Sequence, residues 1–145
     1  MTALSIPPEL PVSEWKRYRT RPIAMEVSFA SSPQIVDTLE GPVRCAPGDA
    51  IVTGVKGEKW PVQRRRFEKT YVPVQPTRLG QAGLYCKKPR EVKAGRLVQD
   101  YQVTLSEGRG VLNGLVGDIL VEYSEGDQSI IAPDIFEKTY QSVID

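Results

Sequence analysis

The chain has 145 residues, 40% of them apolar, a net charge of +1 and no histidine, so it holds one ordinary domain or two very small ones and excludes a Ser-His-Asp triad, a Cys-His pair or a His-ligated zinc site. No apolar run reaches the ~20 residues of a spanning helix, and the opening MTALSIPPELPVSEW lacks the basic start and continuous apolar stretch of a secretory signal. The two cysteines, Cys45 and Cys86, have no partner at metal-ligand spacing, which points to free thiols in a reducing compartment and to a cytoplasmic location.

Residues 1–14 read as an N-terminal arm. IAMEVSF (23–29) alternates apolar and polar residues and predicts a strand. QIVDTL is rich in β-branched residues and predicts another. PVRCA and DAIVTGV are strands joined across Pro47-Gly48-Asp49, where Pro fixes φ and Gly permits φ > 0; Cys45 packs within the first of them. Lys56-Gly57-Glu58 is a second tight turn, leading into KWPVQ. VPVQPTRLGQAG, rich in Pro, Gly and Gln, is a linker. Beyond it VQDYQVTL, GVLNGL, DILVEY and QSIIA read as further strands. In APDIFEKTYQSV, Asp134 precedes Glu137 by three residues, a capping-box spacing that predicts a short helix with its Phe in the core. In the first copy of this segment Arg64, Arg65 and Arg66 replace Pro133, Asp134 and Ile135, so no cap is predicted there.

The pentad Phe-Glu-Lys-Thr-Tyr occurs twice, at 67–71 and 136–140. Other landmarks recur in the same order. Tyr18-Arg-Thr-Arg-Pro22 faces Tyr85-Cys-Lys-Lys-Pro89, Thr38-Leu39 faces Thr104-Leu105, Gly48-Asp49 faces Gly117-Asp118, and Gly57 faces Gly126. Five landmarks in order indicate an internal repeat. The units are 15–74 and 82–145, with 75–81 between them. A unit of about sixty residues buries only ~60% of its unfolded surface and is marginal alone. The predicted fold is therefore mainly β: two tandem β-rich repeats, each a small bent sheet or partial barrel with a short helical turn, packed with pseudo-two-fold symmetry. Gly48, Asp49, Gly117 and Asp118 are assigned to turns; Phe67, Tyr71, Phe136 and Tyr140 to the core.

TLEG, the run from Pro47 through Val62, and the Arg-Arg-Arg-Phe that follows resemble the front half of the PGDYG proteins, a family of bacteria and phage. GDILVEY, SEGDQSII and APDIFEKTY resemble its back half. The resemblance covers most of 15–145 and places the name-giving pentad at Glu125–Ser129, where Gly126 and Asp127 match. It implies architecture and a bacterial or phage setting, and it carries over no catalytic residue.

Charge divides the repeats. Residues 15–74 hold eleven Lys and Arg against six Asp and Glu; residues 82–145 hold seven against ten. Arginine forks suit phosphates and carboxylates, and Trp60, four residues before Arg64, has the ring to stack on a base. The candidate ligand-binding set is thus Trp60, Arg64, Arg65, Arg66, Arg19 and Arg21; the competing reading makes these charges solvated faces or a match to the acidic repeat. Asp49 and Asp118 are equivalent, but neither lies in the Asp-Thr-Gly or Asp-Ser-Gly of an aspartic protease, and turn Asp residues mostly serve their own backbone. No catalytic residue, metal or cofactor is called for. The expected function is a non-enzymatic binding module that recognises a protein or small anionic ligand at a groove between the repeats, as a monomer or homodimer away from membranes. The alternatives are nucleic-acid binding through the basic first repeat, and a phage sequestrant of a nucleotide signal.

Overall fold

The computed structural model describes Ile6 and residues 9–143; residues 1–5 and 7–8 of the expected arm lie outside the described residues. In chain order the strands are β1 (Lys16–Thr20), β2 (Met25–Phe29), β3 (Gln34–Thr38), β4 (Gly41–Cys45), β5 (Ala50–Thr53) and β6 (Lys59–Val62). Helix α1 (Arg64–Thr70) runs into β7 (Tyr71–Pro73), and β8 (Gly83–Lys87) follows. Then come β9 (Glu91–Arg96), β10 (Tyr101–Thr104), β11 (Val111–Gly114), β12 (Ile119–Ser124) and β13 (Asp127–Ile131). Helix α2 (Pro133–Thr139) and β14 (Tyr140–Ser142) close the described chain. The fold is mainly β, in several small open sheets with two short helices among the described residues. β1, β7, β8, β9 and β14 escape the alternation reading: β7 and β14 are three-residue edge strands, β8 is of mixed composition, and β1 and β9 interleave charges with their apolar residues.

The chain divides into two compact units. One comprises Pro22–Lys88 and Leu105–Gly110, with eleven Lys and Arg against seven Asp and Glu; it is called the basic unit below. The other gathers the chain up to Arg21, Pro89–Thr104 and the stretch from Val111 onward, with eight against eleven; it is the acidic unit. These spatial units cut the chain differently from the segments 15–74 and 82–145 expected as repeats.

In the basic unit the sheet order is β6-β5-β2-β8-β7, every neighbour antiparallel. Alternation sends Met25, Val27, Ala50, Val52, Val62 and Tyr85 to the face covered by α1, where they pack with Phe67 and Tyr71. Ile51 points to the opposite face and joins Ala30, Val36 and Cys45, on or beside the β3–β4 hairpin. The strands on either side of Pro47-Gly48-Asp49 do not pair with each other: β4 pairs with β3, and β5 with β2 and β6. The turn hands the chain from the hairpin to the large sheet.

The acidic unit has the sheet order β13-β12-β9-β1-β14, again antiparallel throughout. Val92, Ala94, Ile119 and Val121 face α2 and pack with Phe136 and Tyr140. On the opposite face Leu120 and Ile130 are buried, and Trp15 lies over β9. That approach requires Gly95: a Cβ there would collide with the Glu14 carbonyl.

Both pentads solve one local problem, the passage from helix to strand. Phe67 and Tyr71 stack at 4.8 Å with 19° between ring planes; Phe136 and Tyr140 do so at 4.8 Å and 14°. The spacing of four residues brings the two rings to one side of the last turn. Thr70 and Thr139 donate their hydroxyls to the carbonyls four residues earlier, Arg66 and Ile135. Lys69 and Lys138 sit in the last turn, where a cation suits the exposed carbonyls. The Tyr then leaves the helix in extended conformation and starts the next strand.

The expected capping box is absent. The N-cap of α2 is Ala132, and Asp134 sits in the first turn, where its Oδ1 accepts from the Ile135 N–H at 3.0 Å. Pro133 decides this: its fixed φ and missing N–H favour the first helical position, so the helix begins before Asp134. The expectation that α1 lacks a cap from its own segment holds. Gln63 makes no side-chain cap, but the Asp49 carboxylate reaches the helix from elsewhere in the sequence.

Candidate functional site

The Pro-Gly-Asp turn is a small hydrogen-bonded assembly. Gly48 has φ +89°, a conformation that L side chains rarely adopt. Its N–H donates to the Ala30 carbonyl at 2.8 Å, and the Ala30 N–H donates to the Asp49 carbonyl at 2.9 Å. Asp49 is buried. Its Oδ2 accepts from the Ala46 N–H at 3.0 Å and its Oδ1 from the Arg64 N–H at 3.1 Å. One carboxylate thus closes its own turn and caps the first residue of α1.

The acidic unit repeats most of this wiring. Gly117, at φ +97°, donates to the Leu97 carbonyl at 2.9 Å, and Leu97 donates to the Asp118 carbonyl at 2.8 Å. Asp118 Oδ2 accepts from the Leu115 N–H at 3.0 Å. The capping bond has no counterpart, because Pro133 stands where Arg64 does and has no N–H to give. Asp49 and Asp118 belong to different compact units. Among the described residues no group of three or more His, Cys, Asp or Glu is placed to hold a metal ion.

The hydrogen bonds make Ala30 and Leu97 equivalent, and with them the residues on the turn tips. In the basic unit those tips are Ser31, Ala46 and Pro47, all exposed but small. In the acidic unit they are Val98, Leu115 and Val116, which are 55%, 62% and 63% exposed. The large tips are held in place. Val98 donates its N–H to the Pro11 carbonyl at 2.9 Å, Val116 donates to Asp100 Oδ1 at 3.0 Å, and Arg96 donates to the Gly117 carbonyl at 3.0 Å. Val98, Leu115 and Val116 thus present exposed apolar side chains on hydrogen-bonded backbone, on two segments joined by the bond from Gly117 to Leu97.

The arginine set is divided between the two units. Arg19 and Arg21 lie in the acidic unit; Trp60, Arg64, Arg65 and Arg66 lie in the basic one. Arg19 pairs with Glu91 at 3.7 Å. Arg21 donates Nε to the Tyr140 carbonyl at 2.9 Å and a terminal nitrogen to Gln141 at 3.4 Å. Arg64 pairs with Glu68 at 3.3 Å, donates to the Gly48 carbonyl at 3.4 Å, and lies 5.2 Å over the Phe29 ring. Arg65 is exposed and Arg66 half-buried. Trp60 pairs with Val52 in the sheet register and packs, partly buried, against the core cluster. Its ring therefore belongs to the core face of the sheet.

Both cysteines are free thiols. Cys45 is buried, and burial first, then the nearby Asp49 charge, pushes its thiol up from the ordinary value. Cys86 is half-buried on β8.

A family model, described as PGDYG protein, matches residues 41–141, more than half of the chain. The chain belongs to the PGDYG protein family. In this PGDYG protein the letters Pro-Gly-Asp occur once, at 47–49, matching three of the five letters of the family name against two at Gly126-Asp127. No curated protein and no solved structure matches the chain. No helix among the described residues is long and apolar enough to cross a membrane.

Proposed function

We propose that this PGDYG protein is a non-enzymatic binding module whose partner is a protein, engaged through the apolar turn tips of the acidic unit. One observation carries the reading. Two turns with the same backbone wiring bear Ser31, Ala46 and Pro47 in one unit and Val98, Leu115 and Val116 in the other. The small residues satisfy the turn, so turn geometry does not call for the large ones. Ordered tips also lose little conformational freedom on binding. The commitment of Arg19, Arg21 and Arg64 to Glu91, Tyr140, Gln141 and Glu68 favours an apolar contact over an anionic ligand.

The binding module is further proposed to be a tandem duplication with pseudo-two-fold symmetry. What supports this is the common strand order of the two large sheets, the matched registers of their central and edge pairs, and the paired Phe–Tyr stacks.

The test is a triple variant, Val98→Ser, Leu115→Ala and Val116→Ser, which carries small residues on the tips while keeping the Val116 N–H. The variant keeps the melting temperature of the parent, because the three side chains are exposed. Proteins cross-linked by the parent chain in its source cells are lost from the variant. Unchanged cross-linking would overturn the proposal. So would binding to a generic oligonucleotide by both proteins that weakens steeply with salt, which is the mark of phosphate-driven association.

A further inference from the structure

The connectivity of the two large sheets carries a consequence of its own. β1 lies between β9 and β14, and β8 lies between β2 and β7. Each strand is interior to a sheet whose other strands come from the opposite side of the linker. Tyr18 of β1 pairs with Val92 and Ser142, and its ring meets Phe136 edge-on at 4.8 Å. Tyr85 of β8 pairs with Met25 and Pro73, and its ring meets Phe67 edge-on at 4.8 Å. The flanking bonds agree: Arg21 N–H donates to the Thr139 carbonyl at 2.9 Å and Lys88 N–H to the Thr70 carbonyl at 2.8 Å.

We infer that residues 16–73 and 83–142 are obligate partners that complete each other's sheets by mutual strand donation, so that the 74–82 connection is not needed to hold them together. Removing β1 would split the acidic sheet into β13-β12-β9 and a lone three-residue strand; removing β8 would strand β7 in the same way. An interior strand exposes two rows of backbone hydrogen-bonding groups when withdrawn, so separation leaves unpaired N–H and C=O groups on both sides of the gap. The partner that fits each slot is an extended segment with Tyr directed at the Phe of the helix, and the chain supplies it from its other half.

A specific protease site inserted after Leu79, which is exposed, tests this on the full chain. After cleavage the two fragments should elute together at the mass of the intact chain in native mass spectrometry, with one cooperative melt, and part only in denaturant. Recovery of two separate fragments without denaturant would overturn the inference. A second measurement addresses the exchange itself. In the uncut chain, Tyr18→Ala should speed amide exchange several-fold in β9 and β14, leaving β2 and β5 unchanged. Loss of protection in β2 and β5 instead would mean that β1 completes the sheet nearest to it in sequence, and would equally sink the idea.

Discussion

The basic and acidic units arrange their large sheets in the same strand order, yet they finish the frame differently. In the basic unit the Tyr85 ring is fully buried, and its hydroxyl donates to the Gln81 carbonyl at 2.7 Å and accepts from the Gly80 N–H at 3.0 Å. In the acidic unit the corresponding Tyr18 is half-buried, and the burial lies instead in Trp15 over Gly95. The basic unit caps its helix with a remote carboxylate, whereas the acidic unit starts its helix on a proline. A shared frame thus fixes backbone positions and leaves each unit free to choose which side chains stabilise it.

The comparison can be broken most easily at the tyrosines. Tyr85→Ala removes a fully buried ring and should cost about 3–5 kcal/mol in urea unfolding. Tyr18→Ala should cost clearly less, about 1–3 kcal/mol, because its ring retains solvent contact. Equal losses would show that the two cores depend on their exchanged tyrosines alike. The turn carboxylates come next. Asp49→Ala loses two hydrogen bonds at a buried site and should cost about 1–2 kcal/mol. Asp118→Ala loses the turn bond alone and should cost less than about 1 kcal/mol. A reversed order in thermal or chemical denaturation would mean that the cap on α1 contributes little.

The thiols give the smallest effects. At neutral pH an alkylating reagent should modify Cys86 while Cys45 reacts only as the protein unfolds, since burial suppresses its thiolate. Mass spectrometry of partly labelled protein reads this directly. Burial raises the pKa of Cys45 in the folded chain above its ordinary value of 9.0, so stability from its neutral thiol is fully present below that pH. As pH rises past about 9 the unfolded chain loses its proton first and stability declines. Cys45→Ala should remove that part of the alkaline decline; an unchanged profile between pH 8 and 10.5 would assign it to other groups.

Much of this was legible in the letters, for local reasons. IAMEVSF alternates because one side of β2 is buried, DAIVTGV and DILVEY are runs of apolar residues because both faces of β5 and β12 are covered, and Pro-Gly-Asp and Lys-Gly-Glu mark turns because Gly48 and Gly57 need positive φ. The Phe of each pentad reads as core because it is the large apolar residue ahead of the polar Glu-Lys-Thr, and both are buried. The exchange of β1 and β8 was not legible, since a strand's own pattern specifies which face is apolar and not which strand lies beside it. The reach from Asp49 to Arg64 joins residues fifteen apart and follows from tertiary structure alone. Trp60 looked available for stacking because sequence distance to Arg64 says nothing about sheet face. The apolar tips did leave a signal: in the ungapped repeat alignment Leu115 and Val116 oppose Ala46 and Pro47, a change to larger apolar residues in a turn.

Strand order also sets a timetable for synthesis. β8 leaves the ribosome when its neighbours β2 and β7 already exist, so the basic sheet can close early. β1 emerges first, but the strand that pairs with Tyr18 on its far side contains Ser142. At ~5–20 residues per second, the nascent chain carries Lys16–Thr20 for roughly ten seconds before the second neighbour appears. The first strand to be made is the last to be enclosed, and its Lys16, Arg17 and Arg19 keep it soluble while it waits.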